Sequence, residues 1–120
     1  KFKEYDGGYT SVGSSPFNSL LMCNDFATLF SFIPRSPLQT DMELMWLVHK
    51  DAVEGKDYDL KEITWMWDKT TIADKRIIEN NQKGVLSSKY LPGPLSKMEK
   101  GLEKFKNWYL DKLKKDLSVN

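Results

Sequence analysis

Asp74 is the residue whose type and placement most invite chemistry. It lies in the stretch 59–84 (DLKEITWMWDKTTIADKRIIENNQKG), which has helical periodicity. At about 100° per residue, Leu60, Ile63, Trp67, Thr71, Ile78 and Asn81 fall on one stripe, with Asp74 in its middle. A carboxylate among core-facing side chains is costly unless something positive meets it. The positions three and four away are Thr70, Thr71, Ile77 and Ile78, so no helical neighbour is basic. Asp74 therefore needs an Arg or Lys from another element or a metal ion, unless the helix bends and lets it reach water.

Self-contained catalysis is hard to build from the other residues. One histidine and one cysteine suggest neither a Cys–His pair with an orienting third group nor a His-rich metal cage. His49 falls in a strand pattern and is expected to hydrogen-bond at the sheet. Asp51, Glu54, Asp57 and Asp59 resemble calcium ligands in type, but their spacing fits no EF-hand loop. No glycine loop of the phosphate-cradling kind is present. Cys23 lies in an apolar segment, can form no internal disulfide, and reads as the buried thiol of a cytoplasmic protein.

The elements that would position Asp74 follow from local patterns. Asp6-Gly7-Gly8 reads as a hairpin turn, and residues 10–16, rich in Ser and Gly, as loop. Residues 17–23 and 26–33 are apolar runs of strand length parted by Asn24-Asp25, with Pro34 and Pro37 ending the second. Residues 41–50 alternate: Met42, Leu44, Trp46 and Val48 share one face, and Glu43, Met45, Leu47 and His49 the other. Both faces turn apolar toward the end, so this strand is expected to be central and covered on both sides. Short connections make the three strands antiparallel neighbours. Residues 52–58 form a charged turn around Gly55.

Asp59 is the expected N-cap of the long helix, with Glu62 completing a capping box and Gly84 the stop. That helix, about residues 59–83, would be about 36 Å long, with Thr70-Thr71 a point where bending is plausible. Pro92-Gly93-Pro94 demands extended or turned chain, and Ser96 with Glu99 caps a last helix over about 96–116. Its Met98, Leu102, Phe105, Tyr109 and Leu113 recur at helical spacing, and its lysines form a solvated face. The fold class is α+β, as one domain over residues 1–120: antiparallel strands within 17–50, then two helices. A net charge of +1 with interleaved signs excludes the usual footprint for nucleic acid or an anionic membrane. No apolar run approaches the roughly 20 residues that span a bilayer. The chain opens at Lys1 without a methionine, which suggests a piece of a longer protein.

The run 46–109 (WLVHKDAVEGKDYDLKEITWMWDKTTIADKRIIENNQKGVLSSKYLPGPLSKMEKGLEKFKNWY) resembles the catalytic domain of the large subunit of Rieske-type non-haem iron oxygenases. DGGYTSVG and NDFATLFSFIPRS upstream also look like that family. The most specific pattern is ADKRIIENNQKGVLSS…YLPGPLS…E, in the flavour of the branch acting on methylated amines and betaines. The resemblance implies a helix-grip, START-like domain present as its C-terminal portion. It also implies that Asp74, shortly before Glu79-x-x-Gln82-x-Gly84, is the carboxylate of a two-histidine, one-carboxylate site for mononuclear Fe(II). By the same resemblance Trp67, Thr70, Thr71 and Ile78 would line the substrate pocket, and Glu79 and Gln82 would orient ligands. Core packing for Trp67, and helix-surface hydrogen bonding for Glu79 and Gln82, stand beside those roles.

The resemblance further implies electrons from NAD(P)H, passed by a reductase through a Rieske [2Fe–2S] cluster, and hydroxylation or N-demethylation of a methylated amine, betaine or aromatic compound. It implies a homotrimer as well. The family's His-x4-His pair and its Cys-x-His…Cys-x-x-His cluster module are not in this chain and are expected upstream of Lys1. A fragment so constituted is not expected to be active alone. The rival reading is a non-enzymatic helix-grip domain binding an apolar ligand, with Asp74 paired to Arg35. A structural or regulatory remnant of the same fold is the third.

Overall fold

The structure is a computed structural model that describes residues 7–14 and 16–118. It divides into two units, Lys1–Asn80 and Asn81–Asn120. In the first, β1 (Thr10–Ser14), β2 (Asn18–Met22), β3 (Phe26–Ser36) and β4 (Gln39–Val48) form an antiparallel sheet in the order β1-β2-β3-β4. The helix α1 (Leu60–Val85) follows. The α+β class and its antiparallel order are as the sequence suggested.

Three local expectations change. Residues 10–14, expected to be loop, are β1. TSVGS has no apolar run, yet at the sheet edge it needs only one partner, and Val12 sits opposite Leu20. Pro34 does not end β3, which continues to Ser36. Its pairing with β2 stops at Ser31, so Pro34 sits where β3 has a neighbour on one side only and a missing N–H is tolerated. The strand at 41–50 starts earlier, at Gln39, and is the edge of the described sheet, not its centre. The turn expected at Asp6-Gly7-Gly8 lies partly outside the described residues, although Gly7 has the positive φ (72°) such a turn uses.

Register decides which side chains meet. Ser11, Leu21, Thr28 and Trp46 form one cross-strand row, and Gly13, Ser19, Phe30 and Leu44 the next row on the same face. The opposite face carries Val12, Leu20, Leu29 and Met45, then Met22, Ala27 and Leu47. Among the described residues only the first face is covered. Leu47 is 50% exposed and Met45 41%, so the expected two-sided cover of β4 is not found. At the hairpin end, Arg35 Nε donates to Asp41 Oδ2 at 2.7 Å.

α1 begins as expected at Asp59, whose Oδ1 accepts from the Lys61 and Glu62 N–H groups at 2.8 and 3.2 Å. Its contact with the sheet is confined to its first turns. Ile63, Thr64, Trp67 and Thr71 are half-buried, while Leu60, Asp74, Ile78 and Asn81 from the expected inward stripe are exposed. The stripe is real as a periodicity, but the described strands do not extend beneath all of it. No helix among the described residues is long and apolar enough to cross a membrane.

In the second unit Gly84 is an ordinary helical residue rather than a stop. The helix closes one residue later, with Leu86 N–H donating to Gln82 O and Ser87 N–H to Gly84 O. After extended chain, one 3-10 turn (Lys97–Glu99) leads into α2 (Lys100–Leu117). The Ser96 N–H donates to Glu99 Oε2 at 2.6 Å. On α2 the Phe105 and Tyr109 rings stack at 6.3 Å.

Two tests follow. Phe30 is the one buried apolar side chain among the described residues, so Phe30→Ala should lower unfolding free energy by about 3–5 kcal/mol. Asp59→Ala should cost only about 1 kcal/mol. Urea titration followed by tryptophan fluorescence measures both. The hydrogen bonds from Ser96, backbone first and then side chain, hold the Glu99 carboxyl below its usual pKa of 4.5. The helix-start stability they contribute is present above the ordinary carboxylate value and is lost as pH falls through the lowered one. The Ser96 amide resonance should therefore titrate below the normal glutamate range, and a midpoint at or above it would refute the bond.

Candidate functional site

Helical spacing of four puts Trp67 and Thr71 on the sheet side of α1, and strand alternation puts Leu44 and Trp46 on the face below. The Trp67 ring meets Phe30 edge-on, with centroids 4.7 Å apart and planes at 81°. Beside this contact is an open hollow of about 270 Å³ lined by Leu44, Trp46, Trp67, Asp68, Thr71 and Ile72. Its lining is mostly apolar, with one carboxylate from Asp68.

Two polar atoms at this face have no hydrogen-bond partner among the described residues: the fully buried Thr28 Oγ1 and the Trp46 Nε1. Thr28 and Trp46 are direct cross-strand neighbours. A buried donor or acceptor left unpaired costs about 1–3 kcal/mol, so the two lie at an energetically unsettled spot beside the hollow.

The sequence-derived candidates separate here. Trp67 and Thr71 come together at the hollow; Thr70 and Ile78 do not. Thr70 Oγ1 donates back to Met66 O at 2.9 Å, and Ile78 is 66% exposed. Trp67 packs against the sheet and lines the hollow at once, so its two readings do not compete. Glu79 is exposed and 3.9 Å from Lys75 Nζ, and Gln82 is exposed. Leu44, Trp46, Asp68 and Ile72 were not singled out for the pocket. Alternation had already placed Leu44 and Trp46 on one face, but only the Trp67–Phe30 contact shows that α1 lies over it.

Asp74 is exposed and makes no hydrogen bond or ion pair among the described residues. Its pairing with Arg35 is not formed, because Arg35 holds Asp41. Among the described residues no three of His, Cys, Asp or Glu cluster to hold a metal. His49 lies just past β4, not within it. Its Nδ1 accepts from the Asp51 N–H at 3.2 Å, and it stays exposed.

Residues 3–115 match the family described as ring hydroxylating alpha subunit (catalytic domain). The chain belongs to this family. Its similarity to the glycine betaine monooxygenase oxygenase subunit of Pseudomonas aeruginosa, strains UCBPP-PA14 and PAO1, is 43% identity over 98% of this chain and 28% of the relative. The Chromohalobacter salexigens subunit of the same name is 44% identical over 72% of this chain and 20% of its own length. The chain thus spans about 28% of the length of the first of these relatives. The resemblance read from the ADKRIIENNQKGVLSS stretch is borne out at the level of family.

The orphan pair yields a test. Thr28→Val removes an unpaired hydroxyl at nearly constant shape and should raise stability by about 1 kcal/mol in urea unfolding. A clear loss of stability would show that the hydroxyl has a partner after all.

Proposed function

We propose that this chain is the C-terminal portion of the catalytic domain of a Rieske-type non-haem iron oxygenase, in which Asp74 supplies the carboxylate ligand of mononuclear Fe(II). The observation that carries the reading is the state of Asp74. Among the described residues its carboxylate has no partner, and it lies three residues, about 4.5 Å of helix axis, beyond Thr71 at the hollow. One such oxygen donor does not hold Fe(II) alone, and the chain's own residues fit as one contributor to a shared site. The remaining donors, a histidine pair, would come from the further length that the relatives have. The uncovered apolar sheet face and the exposed Ile72, Ile77 and Ile78 agree with further chain packing against this one.

Bound there, iron would supply the activation of O₂ for hydroxylation. The chain's own contribution is to wall the substrate and position the carboxylate. Trp67 and Thr71 exclude water along the first turns of α1. Thr70 and Ile78 flank Asp74 and would join that wall once covered. Glu79, held by Lys75, and Gln82 would steady the helix around the ligand. The relatives carry the name of glycine betaine monooxygenase, so the substrate proposed here is a betaine or methylated amine, hydroxylated at an N-methyl group. Electrons would come from NAD(P)H through a reductase and a Rieske [2Fe–2S] cluster outside this chain. Cytoplasmic residence and a trimeric assembly belong to the same proposal.

In the longer protein, Asp74→Ala should abolish mononuclear iron by metal analysis while the visible absorbance of the [2Fe–2S] cluster persists. Full iron content with undiminished turnover would overturn the assignment. The 120-residue chain alone should show no tight, stoichiometric Fe(II) uptake by calorimetry.

A further inference from the structure

We propose that metal loading gates the packing of further chain on the outer half of α1: a cation held by Asp74 is what allows Ile77 and Ile78 to be covered. The inference rests on the reading of Asp74 as an iron ligand and gives that ligand a conformational role. Its physical basis is helix geometry. Three and four residues on from Asp74, Ile77 lies about 60° to one side of it and Ile78 about 40° to the other. Ile77 is 60% exposed and Ile78 66%, and every residue of α1 from Ile72 to Asn80 is exposed. Nothing can cover this pair of isoleucines without also covering the carboxylate between them.

The ligand set fixes what covers them. One carboxylate does not complete Fe(II) coordination, so the segment carrying the remaining donors must bring them to the same ion. Donors bonded to one ion at about 2 Å lie within about 4 Å of each other, which sets that segment against Ile77 and Ile78. The protein has the length to supply it, because this chain covers only 28% of the first relative.

Two opposed effects decide whether the segment packs. Covering the isoleucines removes apolar surface from water and favours contact. Covering Asp74 strips its hydration, and a buried charge without a partner outweighs the gain from two isoleucine side chains. The described residues offer no relief. Lys75 is committed to Glu79 and Arg35 to Asp41, and the helical neighbours of Asp74 are Thr70, Thr71, Ile77 and Ile78. A cation shared by Asp74 and the incoming segment reverses the balance, because it binds the covered arrangement and not the open one. The Trp67 contact with Phe30 holds the first turns of α1 in both arrangements, so the change is confined to the helix beyond Thr71. Linkage is reciprocal, so weakening the apolar contact must weaken the metal.

The test uses the longer protein, depleted of mononuclear iron by chelation and then reloaded anaerobically with Fe(II), and reads hydrogen exchange by mass spectrometry. Peptides covering residues 74–80 should exchange about tenfold more slowly when loaded, while those around Trp67 stay unchanged. Asp74→Asn keeps the shape and removes the charge, so without metal it should exchange nearly as slowly as the loaded wild type. Ile77→Ser, which replaces no donor, should weaken Fe(II) about fivefold in an iron titration. Equal exchange in depleted and loaded wild type, rapid exchange in Asp74→Asn, or unchanged iron affinity in Ile77→Ser would overturn the gating. The iron content of Asp74→Asn separates the two readings. Iron retained there sinks the ligand assignment, and iron lost there with no exchange difference in the wild type sinks the gating alone.

Discussion

The edge contact of Trp67 on Phe30 is what ties α1 to the sheet in the first unit. Phe30 is fixed in the plane of the sheet, between Ser19 and Leu44, and is the one buried apolar residue among those described. Trp67 is the largest side chain that α1 sets against it, and an edge-to-face pair adds about 0.5–1.5 kcal/mol beyond the area it covers. Ile63 and Thr71, one turn to either side, are half-buried by the same docking. The hollow lies beside this ring contact, with Trp46 of the sheet and Trp67 of the helix both in its lining. Helix position and pocket wall therefore meet at a single ring contact.

That contact is local, and the rest of the apolar surface is not spent by it. The far sheet face presents Val12, Met45 and Leu47 to solvent, and α1 presents Ile72, Ile77 and Ile78. Apolar side chains left exposed together on one face are of the kind that interfaces cover. Among the described residues the outer edge of β4 is unpaired, which adds a row of backbone groups able to accept another strand. The relatives extend well beyond this length and have the material to cover such surfaces.

Much of this was legible in the sequence, and what was not has a common cause. Alternation in residues 41–48 and the Asp59 cap were read correctly because both depend on near neighbours. The strand at 10–14 was missed because TSVGS draws its order from Leu20 and Leu21 across the ladder, not from its own pattern. Pro34 and Gly84 were read as stops from propensity, but the pairing of β3 with β4 and the continuing hydrogen bonds of α1 override both. Family membership was legible because a specific run of residues carried it, independent of how the strands pair.

Asp74 shows most clearly where periodicity ends as an argument. The helical stripe says that Asp74 shares a direction with Trp67 and Thr71, and the exposure of the whole helix beyond Thr71 says that direction alone does not bury a residue. The cost of an inward carboxylate arises only where something covers it. In water Asp74 needs no partner, and it has none among the described residues. Cover the far half of α1 with further protein, as its exposed isoleucines invite, and the same carboxylate must acquire a positive neighbour or lose its charge. Any cation bound at that position would then stabilise the covered arrangement, so that binding and packing would form one coupled equilibrium.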